Sequence, residues 1–106
     1  MQLTTTFRGL NRAESASATR VLERNLARID RLLEQPAQVR AVVEGGSAEH
    51  RVMLSMSVEG EDLNAQSSDY DLTTAVNAAC ERLRRQLVRR RRRRETNRQK
   101  ATPAQP

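Results

Sequence analysis

Aromatic side chains are nearly missing from this sequence, which has one Tyr, one Phe and no Trp in 106 residues. Modules that read splayed single-stranded bases rely on aromatic platforms, so base stacking is excluded as a main mode of binding. Cysteine is as scarce. Cys80 stands alone, which leaves neither a disulfide framework nor a cysteine metal site. The single histidine, His50, opens an expected strand with no ligand partner nearby and reads as structural. There is no Gly-rich phosphate loop ending in Lys-Ser/Thr, no His-Glu-x-x-His, and no nucleophile with a base. The carboxylate pairs Glu59/Glu61 and Asp69/Asp71 fall in expected loops, where turn formation and helix capping account for them. No enzyme, metal or cofactor is expected. No apolar run approaches the ~20 residues that span a bilayer, and the opening six residues lack the charged-then-apolar pattern of a signal peptide. A soluble, cytoplasmic chain with neither a membrane nor a small-molecule partner is the expectation.

Positive charge is abundant, and it is unevenly placed. From Arg82 to Pro106 there are eleven Lys or Arg against one acid, Glu95, whereas residues 1–81 carry eight bases and twelve acids. Asymmetry of this kind points to a polyanionic partner engaged at one end. An isolated arginine block is also what a solvated, disordered tail looks like, because like charges repel one another. A second arginine array, inside a folded element, favours the polyanion.

Along the chain, Leu3, Thr5 and Phe7 alternate with Gln2, Thr4 and Thr6, the period of a strand with one apolar face. A loop around Gly9 leads into a helix. Ser15 is the expected N-cap, in preference to a capping box of Asn11 and Glu14, because apolar periodicity begins only at Ala18. Ala18, Leu22, Leu26, Ile29 and Leu33 then share an arc of about 80° at ~100° per residue. Arg20, Arg24, Arg28 and Arg31 fill a similar arc opposite, and Glu23, Asp30 and Glu34 a third. Like charges at i,i+4 cost a few tenths of a kcal/mol each, and solubility alone is better served by mixed signs. A stripe of four arginines therefore reads as a docking surface for phosphates.

Pro36 ends the helix near Leu33. Val39, Ala41 and Val43 mark a second strand with Val42 on its outer face, and Gly45-Gly46-Ser47 a turn. Val52, Leu54, Met56 and Val58 mark a third, followed by a hairpin loop of Glu59-Gly60-Glu61. Leu63, Ala65 and Ser67 suggest a weaker fourth strand. Asp71 caps a second helix, in which Leu72, Val76, Ala79, Leu83 and Leu87 recur at helical spacing with Cys80 beside them. Arg82, Arg85, Arg89 and Arg92 form a stripe outside that arc. The wheel carries Arg90 and Arg94 onto the apolar side, where an unpaired guanidinium is too costly to bury. The packed part of the helix is thus expected to end near Leu87 to Arg89. That makes a folded domain of residues 1–90 and a basic segment, 91–106, leaving as a projecting helix or as disorder. The last residues, from Ala101 on, have nothing to pack.

The order β-α-β-β-β-α, with one apolar face per strand and one apolar stripe per helix, implies an α+β fold. A right-handed crossover joins parallel strands, two hairpins complete a four-stranded sheet, and both helices pack on one face of it. The other sheet face, with Thr4, Arg40, Ser55 and Gln66, is polar enough to meet water. Both arginine stripes then lie on the helical surface.

Several stretches carry a family resemblance. Met1-Gln2-Leu3-Thr4-Thr5-Thr6-Phe7-Arg8, Leu26-Ala27-Arg28-Ile29-Asp30-Arg31, Asp71-Leu72-Thr73-Thr74-Ala75-Val76-Asn77 and Arg82-Leu83-Arg84-Arg85-Gln86-Leu87 resemble segments of the short ribosome hibernation-promoting factors. These are also called ribosome-associated inhibitor or sigma-factor modulation proteins. Phe7, Asn25 and Thr73 depart from residues common in that family, and the arginine run is denser. The resemblance, over about residues 1–90, implies a fold like the double-stranded RNA-binding domain. It also implies a monomer off the ribosome that binds the small subunit and its rRNA between head and body. There it blocks the path of tRNA and mRNA and keeps idle ribosomes inactive under stress or in stationary phase. Arg28, Arg31, Arg82, Arg85 and Arg89 match basic positions of the family; Arg20, Arg24 and Arg92 come from helical geometry. Two other readings remain open from the residues: a general nucleic-acid binder driven by the arginine-rich end, and a protein-interaction domain.

Overall fold

The computed structural model describes residues 1–101, with side chains to Thr96; of the expected unpacked end, residues 102–106 lie outside the described residues. The order is β1 (Gln2–Arg8), α1 (Arg12–Asp30), β2 (Gln38–Gly45), β3 (His50–Val58), β4 (Glu61–Asp69) and α2 (Leu72–Ala101). The strands form one sheet in the order β1-β2-β3-β4. β1 pairs with β2 in parallel, across the α1 crossover, and the other two pairings are antiparallel hairpins.

Period two decides which side of the sheet is covered. Val39, Ala41 and Val43 of β2, Val52, Leu54, Met56 and Val58 of β3, and Leu63 and Ala65 of β4 are buried. Against them lie Ala18, Val21, Leu22, Leu26 and Ile29 of α1, and Ala75, Val76, Ala79, Cys80, Leu83 and Leu87 of α2. Both helices thus share one face, and the fold is the expected α+β sheet with two helices on one side. Burial pushes the Cys80 thiol up to about 12, so it stays a neutral packing group. Thr4, Arg40 and Gln66 are exposed on the opposite face, with Val42 and Met53 half-buried between them.

Three local expectations are corrected. Asn11, not Ser15, caps α1: its side chain accepts from the Glu14 N–H at 2.8 Å, and Glu14 accepts from the Asn11 N–H at 3.0 Å. Satisfying two helix-end donors at once outweighs the later onset of apolar periodicity. α1 itself stops at Asp30, so Leu33 packs from the following loop. β4 is a full nine residues, and Glu61 belongs to it, because Val58 pairs directly with Glu61 across a two-residue turn. Glu59 and Gly60, at φ +48° and +77°, occupy the left-handed pair of positions that such a turn demands. The structural role expected of His50 takes the form of hydrogen bonds. Its Nδ1 donates to the Tyr70 carbonyl at 2.9 Å and its Nε2 lies 3.4 Å from Glu14, which ties β3 to both helix starts.

The largest correction concerns Arg90. It is only 7% exposed, so the packed length of α2 passes the expected limit of Arg89. The guanidinium is not alone there: it pairs with Glu59 at 3.3 Å and with Glu61. Paired burial is tolerated where unpaired burial is not.

The caps make a measurable claim. The Asn11 N–H, with help from His50, holds the Glu14 carboxyl below its ordinary 4.5. The Thr74 hydroxyl and N–H hold Asp71 below 3.8. Both depressed values mean stabilisation that is complete above the ordinary carboxylate range and lost as pH falls through the lower folded values. Asn11→Ala should cost about 0.5–2 kcal/mol in denaturant unfolding while Ser15→Ala changes little. Glu14→Gln should flatten the fall in thermal stability expected below about pH 4.5.

Candidate nucleic-acid interface

The helical face holds the arginines, and its layout follows from which flank of each helix meets a neighbour. Asn25 donates to Asn77 at 2.8 Å, which marks the seam between α1 and α2. Glu23 and Asp30 lie on the other flank of α1, beside Met1 and Leu3 of the β1 edge. Arg20, Arg24, Arg28 and Arg31 are all exposed, on the back of α1 and toward the seam. Arg28 in the last turn and Arg31 at the C-cap also complement the negative end of the helix dipole.

On α2 the expected stripe of Arg82, Arg85, Arg89 and Arg92 is likewise exposed. It turns toward β4 rather than toward α1. Arg82 donates to the Gln66 carbonyl and Gln86 to the Asn64 carbonyl. β4 is an edge strand, so these two side chains cover backbone acceptors that no further strand takes up. Arg82 is therefore partly engaged in holding the sheet edge. Beyond it, Arg89, Arg92 and Arg93 line a shallow hollow with Leu63 and Gln86.

The two stripes share a surface without forming one row. Asn77, Glu81, Arg84, Val88 and Arg91 follow one another at helical spacing along the seam side of α2. Glu81 is the local acid there. Arg84 grips it at 2.7 and 3.0 Å and Arg85 reaches it at 3.3 Å. The Arg84 hydrogen bond, first of all, holds the Glu81 carboxyl below its ordinary value, and Glu81 in turn raises Arg84. Arg91 stands between Glu34 at 4.0 Å and Glu95 at 3.9 Å.

Sequence reasoning missed two features. Arg84 lies between the two stripes, and its place emerges only once α1 is known to pack on that flank. Arg90 and Arg94 are taken up internally, by Glu59 and Glu61 and by Glu59 respectively. The signal for this was present: an acidic two-residue turn after a strand whose length brings it level with Arg90. Arg40 and Arg51, exposed on the uncovered sheet face, form a separate and sparser set of bases. Among the described residues, no cluster of His, Cys, Asp and Glu could hold a metal ion. None of the described helices is long and apolar enough to cross a membrane. Tyr70, 77% exposed, is the one large apolar side chain standing free among the described residues, and it sits at the far end of α2 from the arginine run.

Chemically, such a face can pair with phosphates and read their spacing. It has no groups for recognising bases one by one. If Glu81 is a brake on that face, Glu81→Gln should tighten binding to duplex RNA about two- to threefold at low salt, with the melting temperature nearly unchanged, since exposed ion pairs contribute little to stability. Fluorescence anisotropy with a labelled duplex reads the first and thermal unfolding the second.

A family model described as sigma-54 modulation protein / S30EA ribosomal protein matches residues 5–95. Among solved structures, the chain is similar to the N-terminal domain of Protein Y from Thermus thermophilus, at 24% identity and a TM-score of 0.72, over 84% of this chain and 98% of that one. It is also similar to a ribosomal subunit interface protein from Coxiella burnetii, at 21% identity and a TM-score of 0.72, over 86% and 98%. At these identities the likeness carries the fold. No curated protein matches the chain in sequence.

Proposed function

Because this chain belongs to the sigma-54 modulation protein / S30EA ribosomal protein family, we propose that it is a non-enzymatic ribosome-binding factor of the translation machinery. Its helical face docks on the rRNA of the small subunit, in the path of tRNA and mRNA, and so holds idle ribosomes inactive. The observation that carries this reading is the exposed arginine surface on a rigid two-helix layer, with Arg20, Arg24, Arg28 and Arg31 on one helix and Arg85, Arg89 and Arg92 on the other. The name of one structural neighbour, a ribosomal subunit interface protein, supports a ribosomal site. Work at the ribosome places the protein in the cytoplasm, and stress or stationary phase is when idle ribosomes accumulate.

Occupancy is a sufficient mechanism. A folded body fixed between head and body of the subunit excludes the ligands that share that space, and no bond has to be made or broken. Phosphate contacts supply affinity, and the fixed spacing of two helices supplies location.

A second reading is favoured by one observation, the bias of charge into residues 82–106. In that reading the arginine-rich end coats any polyanion and the folded surface is incidental. The two separate in co-sedimentation with small subunits and in cell-free translation. Arg28→Glu/Arg31→Glu should abolish ribosome binding and inhibition with the arginine-rich end intact. Removal of residues 91–106 should weaken binding without moving it. For about five phosphate contacts the log–log salt slope should be roughly −4 to −5, and shallower after truncation. If the truncated protein loses all binding while the reversed protein keeps it, the general polyanion reading is the correct one.

A further inference from the structure

The arginine run from Arg89 to Arg94 is not one uniform patch. Two of its members are paired within the protein, Arg90 buried and Arg94 at the surface. Arg90 is buried and lines one small cavity with Val58, Leu87, Leu32 and Leu33, and its guanidinium meets Glu59 at 3.3 Å and Glu61. Arg94, one turn on, meets Glu59 as well. Among the described residues Arg89, Arg92 and Arg93 have no carboxylate partner; they line the hollow beside Leu63 on the opposite flank. α2 thus crosses the β3–β4 turn, is tied to it at two successive turns, and continues as helix to Ala101.

The position of Glu59 is telling. At φ +48° it holds the first left-handed place of a two-residue turn, where Asn, Asp or Gly is the usual choice. Glu gains nothing there from the backbone. Its longer side chain reaches α2, which Asn and Gly could not do. A strained residue held against its own preference is a sign that its side chain has work to do.

We propose that Glu59 and Glu61, through Arg90 and Arg94, form a positioning latch that fixes the end of α2 so that Arg89, Arg92 and Arg93 face the phosphate backbone of double-helical RNA. The proposal rests on the reading of this face as an RNA surface and adds what sets its geometry. Without the latch, a run of adjacent arginines would repel itself and fray, as like charges along a helix do. With it, two positive charges are neutralised on the sheet side, and the helix ladder is held through the part of α2 that overhangs the turn. A fixed arm suits a partner whose phosphates are themselves fixed. A duplex has them at regular spacing; a flexible strand does not, and this flank offers no aromatic ring for stacking on its bases. Glu59, Glu61, Arg90 and Arg94 are positioning residues in this scheme, and Arg89, Arg92 and Arg93 are the contacts.

A sign difference makes the test sharp. Glu59→Gln/Glu61→Gln raises the net charge by two, so an electrostatic tail would bind all RNA more tightly. A positioned arm would bind duplex less tightly. The full chain is compared with this variant by amide hydrogen exchange over residues 89–96, and by affinity for a short RNA duplex and for single-stranded oligouridine at one salt concentration. Exchange should speed up about tenfold or more as the helix end loses its anchor. Duplex affinity should fall roughly three- to tenfold as ordering must now be supplied on binding, while oligouridine affinity holds or rises. Arg92→Ala/Arg93→Ala should lower duplex affinity and leave exchange unchanged. Because an unpaired Arg90 can unsettle the hairpin, Glu59→Asn is a second variant: it suits the left-handed turn position and removes the carboxylate, and it should move exchange and duplex affinity in the same directions by less. Unchanged exchange in both variants, or duplex affinity that rises with the added charge, overturns the latch. Failure of the unaltered protein to bind small subunits overturns the function proposed above, and the latch is still decided by exchange and duplex affinity.

Discussion

A guanidinium cannot enter an apolar layer without a counter-charge, and this constraint sorts the helical arginines whose side chains are described. Two helices laid on one face of a four-stranded sheet each offer a single stripe to the core, so the remaining arc must carry whatever the interior refuses. Arg20, Arg24, Arg28 and Arg31 take that arc on α1, and Arg85, Arg89 and Arg92 take it on α2. Arg82 finds an intermediate solution in the open carbonyl of a sheet edge. Among the described residues Arg90 is the one arginine that goes inside, and only because the β3–β4 turn brings two carboxylates to it. The folded domain and its charged surface are therefore one solution to one problem.

The surface that results is rich in exposed guanidinium groups and poor in base readers. The bulk of its charge lies on helices held by a shared core of Leu22, Ile29, Leu54, Met56 and Leu83, all close to fully buried. Rigid spacing of that kind discriminates by shape. Acids are interleaved at two kinds of place, with opposite consequences. Glu81 lies among exposed arginines and weakens the outward field. Glu59 and Glu61 lie beneath the end of α2 and organise it. Counting charges alone would treat the three as equivalent.

Much of the fold was legible because strand and helix periods were clean. Val52-Met53-Leu54-Ser55-Met56 can only be a strand with one buried face, and the spacing of Val76, Ala79, Leu83 and Leu87 can only be a helix with one buried stripe. The failures have physical causes. Apolar periodicity, which begins at Ala18, points to Ser15, whereas hydrogen-bond satisfaction at the helix end selects the capping box of Asn11 and Glu14. The burial of Arg90 is illegible in the sequence because its pairing across 31 residues is invisible until the hairpin register is known. The stripes themselves followed from helical geometry, whereas the orientation of the α2 stripe toward β4 depended on which flank α1 occupies. Periodicity gives a residue's azimuth on its own helix; tertiary packing decides what that azimuth faces.

The account holds that a folded arginine surface excludes translation ligands by occupying their place on the small subunit. Competition tests this most directly. Small subunits loaded with mRNA and initiator tRNA are challenged with the full chain at physiological salt, and both bound protein and retained tRNA are measured after sedimentation. The account predicts mutual exclusion, with protein binding rising only as tRNA and mRNA are lost. Protein that binds the loaded subunits as well as the empty ones, leaving tRNA in place, would contradict it.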